Sequence, residues 1–419
     1  MNHRSRVLRR VAALSIVTVA FAACSSSSKS STPGGGGASS STASSSSASS
    51  SSASSSSSGS SASGTSTTAG GSPLQQAMDA TTQAEKGTNR PVDPTPRPAV
   101  KGKHIVVISA GQAADSSKIP VQGAADAAKA IGWQVDIYDA ALNPAKYPGL
   151  VRQAIAAGVD GIVLDAIDCQ TVKQPLEEAK AKGIAVTAIY AFDCNDPHAG
   201  GESTGLYSAL VNFGPKAAAD PGKFSESYGI DQANYIIAAS QNKAKIIALQ
   251  DTEFTVLYYT YTGFKSQIDA SGGSQVVDTL NFTVADLLSG RLTAKVQAEL
   301  LRFPEANWIK SPFTAATQLS LIPGLGAKAG TINVMGGEGF PAELDFIRQG
   351  KVTAANVISS DWVGWGSVDA MNSVFSKQPT VDSGIGWTIV DKTHNLPTAG
   401  PFVPPIDYKS AYKKAWGVG

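Results

Sequence analysis

KHIVVISAGQAADSSKIPVQGAADAAKAIGWQV, Lys103 to Val135, carries three signals in succession. HIVVIS (His104–Ser109) is an unbroken apolar run rich in β-branched residues, as a strand buried on both faces requires. SAGQAADSS supplies the small and polar residues of a turn. GAADAAKAIG then leads along an Ala-rich helix that stops at a glycine, and QVDIYDA begins another strand. Strand, helix and strand within about 35 residues make a βαβ unit, whose two strands run parallel.

The unit repeats. A helix around 150–157 precedes GIVLDA, one around 172–182 precedes IAVTAIY, and ALVNF (209–213) reads as a further strand. After a Gly/Pro/Ser-rich break, GPKAAADPGKFSES, a second series starts with helix 231–241, strand KIIALQ, helix 259–270 and strand QVVDTLNF. It continues with a long helix 285–301, the strands NWIKS and TINVMGG, helix 341–349, strand AANVIS and helix 363–375. Continuous apolar strands separated by helices predict an α/β fold: two doubly wound parallel-sheet lobes in series.

What precedes them does not fold by the same rules. Arg4, Arg6, Arg9 and Arg10 lead into an apolar run, Val11 to Ala23, of about 13 residues, which suits a signal peptide and is too short to span a bilayer. Ala22 and Ala23 before Cys24 resemble the lipobox of bacterial lipoproteins, which implies lipidation of Cys24 and attachment to the membrane; cleavage leaving a free thiol is the alternative. From Ser25 to about Pro98 the chain is Ser, Ala, Gly and Thr, then Pro-punctuated, with too little apolar surface to offset the entropy of ordering. The reading is a signal peptide over 1–23 and a disordered tether over 24–100.

The 419 residues include 34 basic and 33 acidic side chains, a net charge of +1, with no basic stripe of the kind nucleic acid needs. Three cysteines divide as Cys24 plus two. In an oxidising compartment Cys169 and Cys194 read as a disulfide; two free thiols, or a zinc site with Asp193 and His198, are the alternatives.

In open α/β sheets ligands bind beyond the carboxyl ends of the strands. Those stretches are SAGQAADSS, DAIDCQ, YAFDCNDPH, QDTEF, NFTVAD, SPFTA, GGEGFP and SSDWVGW, where acids and aromatic rings are frequent and Lys and Arg are absent. GEGFPA followed by Asp361 loosely matches a dinucleotide fingerprint, but Glu338 would set negative charge against a pyrophosphate. Only His198 among four histidines is near these ends, and neither a nucleophile elbow nor a ligand array for a metal is present, so an enzyme is disfavoured and no cofactor is implied. Acids in a cleft leave glycoside hydrolysis as a minor alternative.

With the segments AGVDGIVLDAID, AKAKGIAVTAI and INVMGGEGFPAELDFIRQGKVTA, the chain from Lys103 to about Val390 resembles the type I solute-binding proteins of ABC transporters, closest to the ribose and galactose binders. The resemblance implies two lobes joined by a three-crossover hinge, one holding 101–213 with 311–358 and the other 214–310 with 359–419. It implies a monomer that closes on a small molecule and delivers it to an ABC permease; a sensor that presents its ligand to a membrane signalling partner would share the fold. Transferred by position, it makes Glu338 an acceptor for ligand hydroxyls and Phe282 a stacking ring. Gln112, Asp115 and Ser116 stand where many relatives place a first-helix ring. Tyr190, Thr260 and Phe313 stand where sugar binders often carry Asp-Arg, Arg and Asn-Asp, and Asp193 and Trp362 complete the candidates. The missing guanidinium forks turn the expectation from a plain pentose toward a sugar-like, polyol or amine-bearing ligand.

Overall fold

A computed structural model describes residues 71–215, 217 and 220–419. Cys24, the signal segment and residues 25–70 of the expected tether lie outside the described residues.

The first lobe is a four-stranded parallel sheet of β1 (His104–Ser109), β2 (Gln134–Asp139), β3 (Gly161–Asp165) and β4 (Ala185–Ile189), ordered β2-β1-β3-β4. The second is six-stranded: β5 (Lys245–Asp251), β6 (Gln275–Phe282), β7 (Trp308–Lys310), β8 (Asn333–Met335), β9 (Ala354–Ile358) and β10 (Trp387–Asp391), ordered β10-β9-β8-β7-β5-β6, with β10 antiparallel to β9. The α/β class and the two doubly wound lobes are as the sequence predicts.

Helices cover both faces of each sheet. In the first lobe α2 (Asp115–Ile131) packs on one face, α3 (Tyr147–Ala156) and α4 (Lys173–Ala181) on the other. In the second, α1 (Pro73–Lys86), α5 (Pro221–Ala239) and α6 (Thr255–Ser271) share one face. The opposite face takes α7 (Val284–Leu288), α8 (Arg291–Arg302), the short α9 (Thr314–Ala316) and α10 (Ile322–Leu325), and α11 (Pro341–Arg348). The long helix α12 (Ser360–Ser376) and the shorter α13 (Tyr408–Trp416) return to the first lobe, against α2.

Several expectations are corrected. Residues 311–358 belong to the second lobe, because β7, β8 and β9 pair in parallel register there (Lys310 with Met335, Met335 with Ala354), and α12 belongs to the first. The stretch 71–100 is not tether. Ser72 caps α1, whose Ala77 and Ala84 are buried against the α5 face, and Arg97 is 1% exposed. Residues 209–213 form no strand. The single helix expected over 285–301 is two, broken at Gly290, whose φ of +74° suits a residue without a side chain.

Three connections in the repeated core join the lobes, at 190–220, 358–360 and 376–387, and the chain ends add two more, at 87–103 and 392–407. The hinge segments are hydrogen-bonded to one another. Arg90 bridges Asp382 at 2.9 Å and the Phe213 carbonyl at 2.7 Å, and the Ser383 N–H donates to Asn212.

Candidate functional site

Strand order reverses between β1 and β3 in the first sheet and between β7 and β5 in the second, so the loops after those strands part and leave a crevice in each lobe. The two crevices face each other across a cavity of about 140 Å³. From the first lobe come Ala110, Ser116, Leu142, Ala166 and Tyr190; from the second come Phe224, Tyr228, Phe254, Leu257, Phe313 and Glu338. Leu142, Ala166 and Tyr190 all have positive φ, 56°, 51° and 51°, a conformation that non-glycine residues hold only when the surroundings enforce it. The first-lobe wall is therefore built at a local cost.

Glu338 is set by the loop that carries it. The buried Glu343 carboxylate accepts the Gly337 and Gly339 N–H groups, each at 2.8 Å, and the hydroxyls of Thr314 and Thr317. A side chain at Gly337 would overlap the Phe313 backbone, so glycine permits that close approach. So held, Glu338 accepts the Ser116 hydroxyl from the other lobe at 2.6 Å and the Thr314 N–H at 3.2 Å. Burial pushes its pKa up to about 8, those two hydrogen bonds pull it down less, and the charges of Glu343 and Asp115 add to the rise. It is the one carboxyl group on the wall among the described residues.

Asp165 beneath the cavity is fully buried, and burial drives its pKa well above the usual carboxylate range despite hydrogen bonds from Ser117 and Ser109. Beside the cavity the lobes touch directly. Tyr259 donates to Asp196 at 2.8 Å and stacks on Phe192 at 5.1 Å between centroids, and the His198 ring lies 3.9 Å from that of Tyr258.

Of the residues singled out in the sequence, Ser116, Tyr190, Thr260, Phe313 and Glu338 line the cavity. Gln112 lies outside the lining, bonded to the Ser109 hydroxyl, and Asp115 is exposed at the start of α2. Asp193 is occupied by the N–H groups of Cys194, Leu206 and Tyr207, which fold its own loop. Phe282 packs in the second-lobe core, and Trp362 is fully buried and stacked on Tyr408. Cys169 and Cys194 form a disulfide, which leaves no thiolates for zinc.

Phe224, Tyr228 and Phe254 were missed. Phe224 and Tyr228 are four apart on α5 and so share a helix face, but Phe224 falls in the segment whose Pro and Gly read as a break and Tyr228 directly follows it. Phe254 ends QDTEF, one of the post-strand stretches, and no spacing distinguished it.

A model of the periplasmic binding protein domain matches residues 105–379. The chain belongs to the periplasmic binding protein family. Its members are exported substrate-binding proteins, so this periplasmic binding protein is a binder and not an enzyme. No curated protein sequence matches it. Among solved structures it is similar to an ABC-transporter solute-binding protein from Agrobacterium vitis with α-D-tagatopyranose bound, at 21% identity over 70% of this chain and 95% of that one, TM-score 0.59. A glucose–galactose binding protein from Geobacillus stearothermophilus matches at 16% identity over 71% and 99%, TM-score 0.58. An ABC-transporter solute-binding protein from Mycobacterium smegmatis with glycerol bound matches at 18% over 72% and 100%, TM-score 0.58. At these identities the likeness establishes the fold of this periplasmic binding protein and leaves its ligand to the cavity. Among the described residues no helix is long and apolar enough to cross a membrane.

Proposed function

We propose that the chain is the solute-capturing component of an ABC importer, tethered to the outer face of the cell membrane by lipid on Cys24. The observation that carries the reading is a cavity walled by both lobes at the carboxyl ends of both sheets. A solute seated there gains its full set of contacts only when the lobes are together, so it favours the closed form, and the permease reads that form. Of the candidates named from sequence, Ser116, Tyr190, Thr260, Phe313 and Glu338 are the ones that contact the solute. Residues before Gly71 let the domain meet its permease while still anchored.

A thermal-shift screen of the mature chain across sugars, polyols and amines, with small-angle scattering on every hit, tests this. At least one solute raises the melting temperature and compacts the scattering profile, and deleting the chain abolishes cellular uptake of that solute. Solutes that stabilise without compaction, or uptake that survives the deletion, overturn the reading. Cys24→Ser releases the chain to the medium if the lipid holds it, and leaves it in the membrane fraction if something else does.

A further inference from the structure

The walls of the cavity specify a chemical class. Apart from Glu338 they consist of aliphatic and aromatic side chains with a few hydroxyls, and among the described residues no Lys, Arg, His, Asn, Gln or Asp lines them. The hydroxyls are already engaged. Ser225 donates to the Pro221 carbonyl at 2.8 Å, Thr260 to Val256 at 2.9 Å and Tyr228 to Gly337 at 2.8 Å. Tyr190 is paired with Ser360 at 2.9 Å, Ser117 with Asp165, and Ser116 with Glu338.

A sugar or polyol carries hydroxyls on every side, and each one left without a partner in such a space weakens binding by roughly tenfold or more. An apolar cavity of about 150 Å³ lined by Leu, Ile and Phe, by contrast, stays dry and accepts a benzene-sized guest. The present cavity, about 140 Å³, is of that size, and most of its wall is likewise aliphatic or aromatic. Its one carboxyl group, Glu338, accepts both the Ser116 hydroxyl and the Thr314 N–H on Oε2, which leaves Oε1 for a single ligand head.

Building on the solute-capture reading above, we propose that the ligand is a compact, mainly hydrocarbon or aromatic molecule with one hydroxyl or amine head docked on Glu338 and Ser116, rather than a sugar. Phe224, Phe254 and Phe313 enclose the body, and Glu338 selects the head. A carboxylate head is disfavoured, since it would be buried where no cation lines the wall among the described residues.

Calorimetry on the mature chain tests this with benzyl alcohol and benzylamine as one set and tagatose, arabinose, galactose and glycerol as the other. The first set binds and the second does not. Glu338→Gln weakens the benzylamine complex by about tenfold or more, the scale of a lost charge-assisted hydrogen bond. Benzylamine binding at neutral pH releases about one proton, seen as buffer-dependent heat, because the bound ammonium ionises Glu338; benzyl alcohol releases none. Leu257→Trp, and separately Val284→Trp at another point of the wall, fill the cavity and abolish both complexes, with circular dichroism confirming that each variant folds. Sugar binding without aromatic binding overturns the inference and leaves solute capture standing, as does aromatic binding that survives both filled variants. Binding by neither set, nor by any solute of the wider screen, removes both.

Discussion

Asp168, after β3 in the first lobe, accepts the backbone N–H of Thr255, the first residue of α6 in the second lobe, at 3.2 Å, while its other oxygen accepts the Phe192 N–H at 2.8 Å. One carboxylate thus ties two loops of one lobe to the positive end of a helix in the other, where a negative group is favoured. Asp168→Ala leaves both donors unpaired. The closed form loses about 1–3 kcal/mol, and the unliganded chain expands in small-angle scattering. Asp168→Asn keeps an acceptor and shows a smaller expansion. Unchanged scattering for Asp168→Ala would show that other contacts hold the lobes.

The Cys169–Cys194 disulfide joins the two loops that make these inter-lobe contacts, since Asp168 adjoins the first cysteine and Asp196 follows the second by two residues. It closes a loop with a sequence separation of 25, for which chain-entropy arguments give about 3 kcal/mol. Replacing both cysteines by serine lowers unfolding free energy in urea by about that amount. A midpoint equal to that of the parent chain would count against the assignment.

The alternation of strands and helices was legible because buried parallel strands leave unbroken apolar runs such as Ile105–Ile108 and Ile162–Leu164, all fully buried. The start of α5 was not, because the residues that suggested a break serve the helix. Pro221 takes its first position, and Gly222 and Gly229 let α6 approach, a side chain at Gly229 overlapping the Thr260 carbonyl. Residues 209–213 failed in the opposite way. Val211 and Phe213 are buried, but in the hinge, where Asn212 bonds to Ser383 rather than to a sheet. For the site, position after a strand located Glu338, Tyr190 and Phe313; it could not separate them from Phe282 and Trp362, whose burial in cores depends on neighbours distant in sequence.

Lys310 on β7 is fully buried, its amine has no hydrogen-bond partner among the described residues, and the Phe264 ring lies 5.7 Å away. Burial pulls its pKa down to about 7 from 10.5. The native state therefore binds fewer protons than the unfolded chain between these values, so this residue makes stability rise with pH from about 7 toward 10.5. Lys310→Met keeps the volume and removes the amine. It raises stability at neutral pH by about 1–3 kcal/mol and flattens that rise. Denaturation at pH 7 and pH 9.5 checks both; a Met variant less stable at both values would assign the amine a partner.

Arg97, in the stretch read from sequence as tether, pairs with Asp369 of α12 at 2.9 Å, and Trp416 of α13 donates to the same carboxylate oxygen at 2.7 Å. Arg97→Ala strands a buried carboxylate and costs about 3–5 kcal/mol. A chain begun at Lys101 loses this pair and also α1, exposing its buried contact with the α5 face. Both changes lower the melting temperature, the truncation by more, and calorimetric scans measure the difference. A truncated chain as stable as the full one would place 71–100 outside the folding unit.

Glu338 gives the unliganded protein a pH dependence opposite in sign to that of Lys310. Its folded pKa, about 8, exceeds its ordinary 4.5, so the native state keeps a proton that the unfolded chain releases. That contribution is complete below about 4.5 and is lost as pH rises to about 8. Asp251, raised by burial to about 7, acts in the same direction, so the parent curve alone cannot isolate Glu338. Glu338→Gln can, because the amide keeps the size and polarity of the protonated acid without titrating. The melting temperature of the Gln variant relative to the parent therefore increases steadily from pH 5 to pH 8. An offset independent of pH would mean that Glu338 titrates in the ordinary range and is open to water.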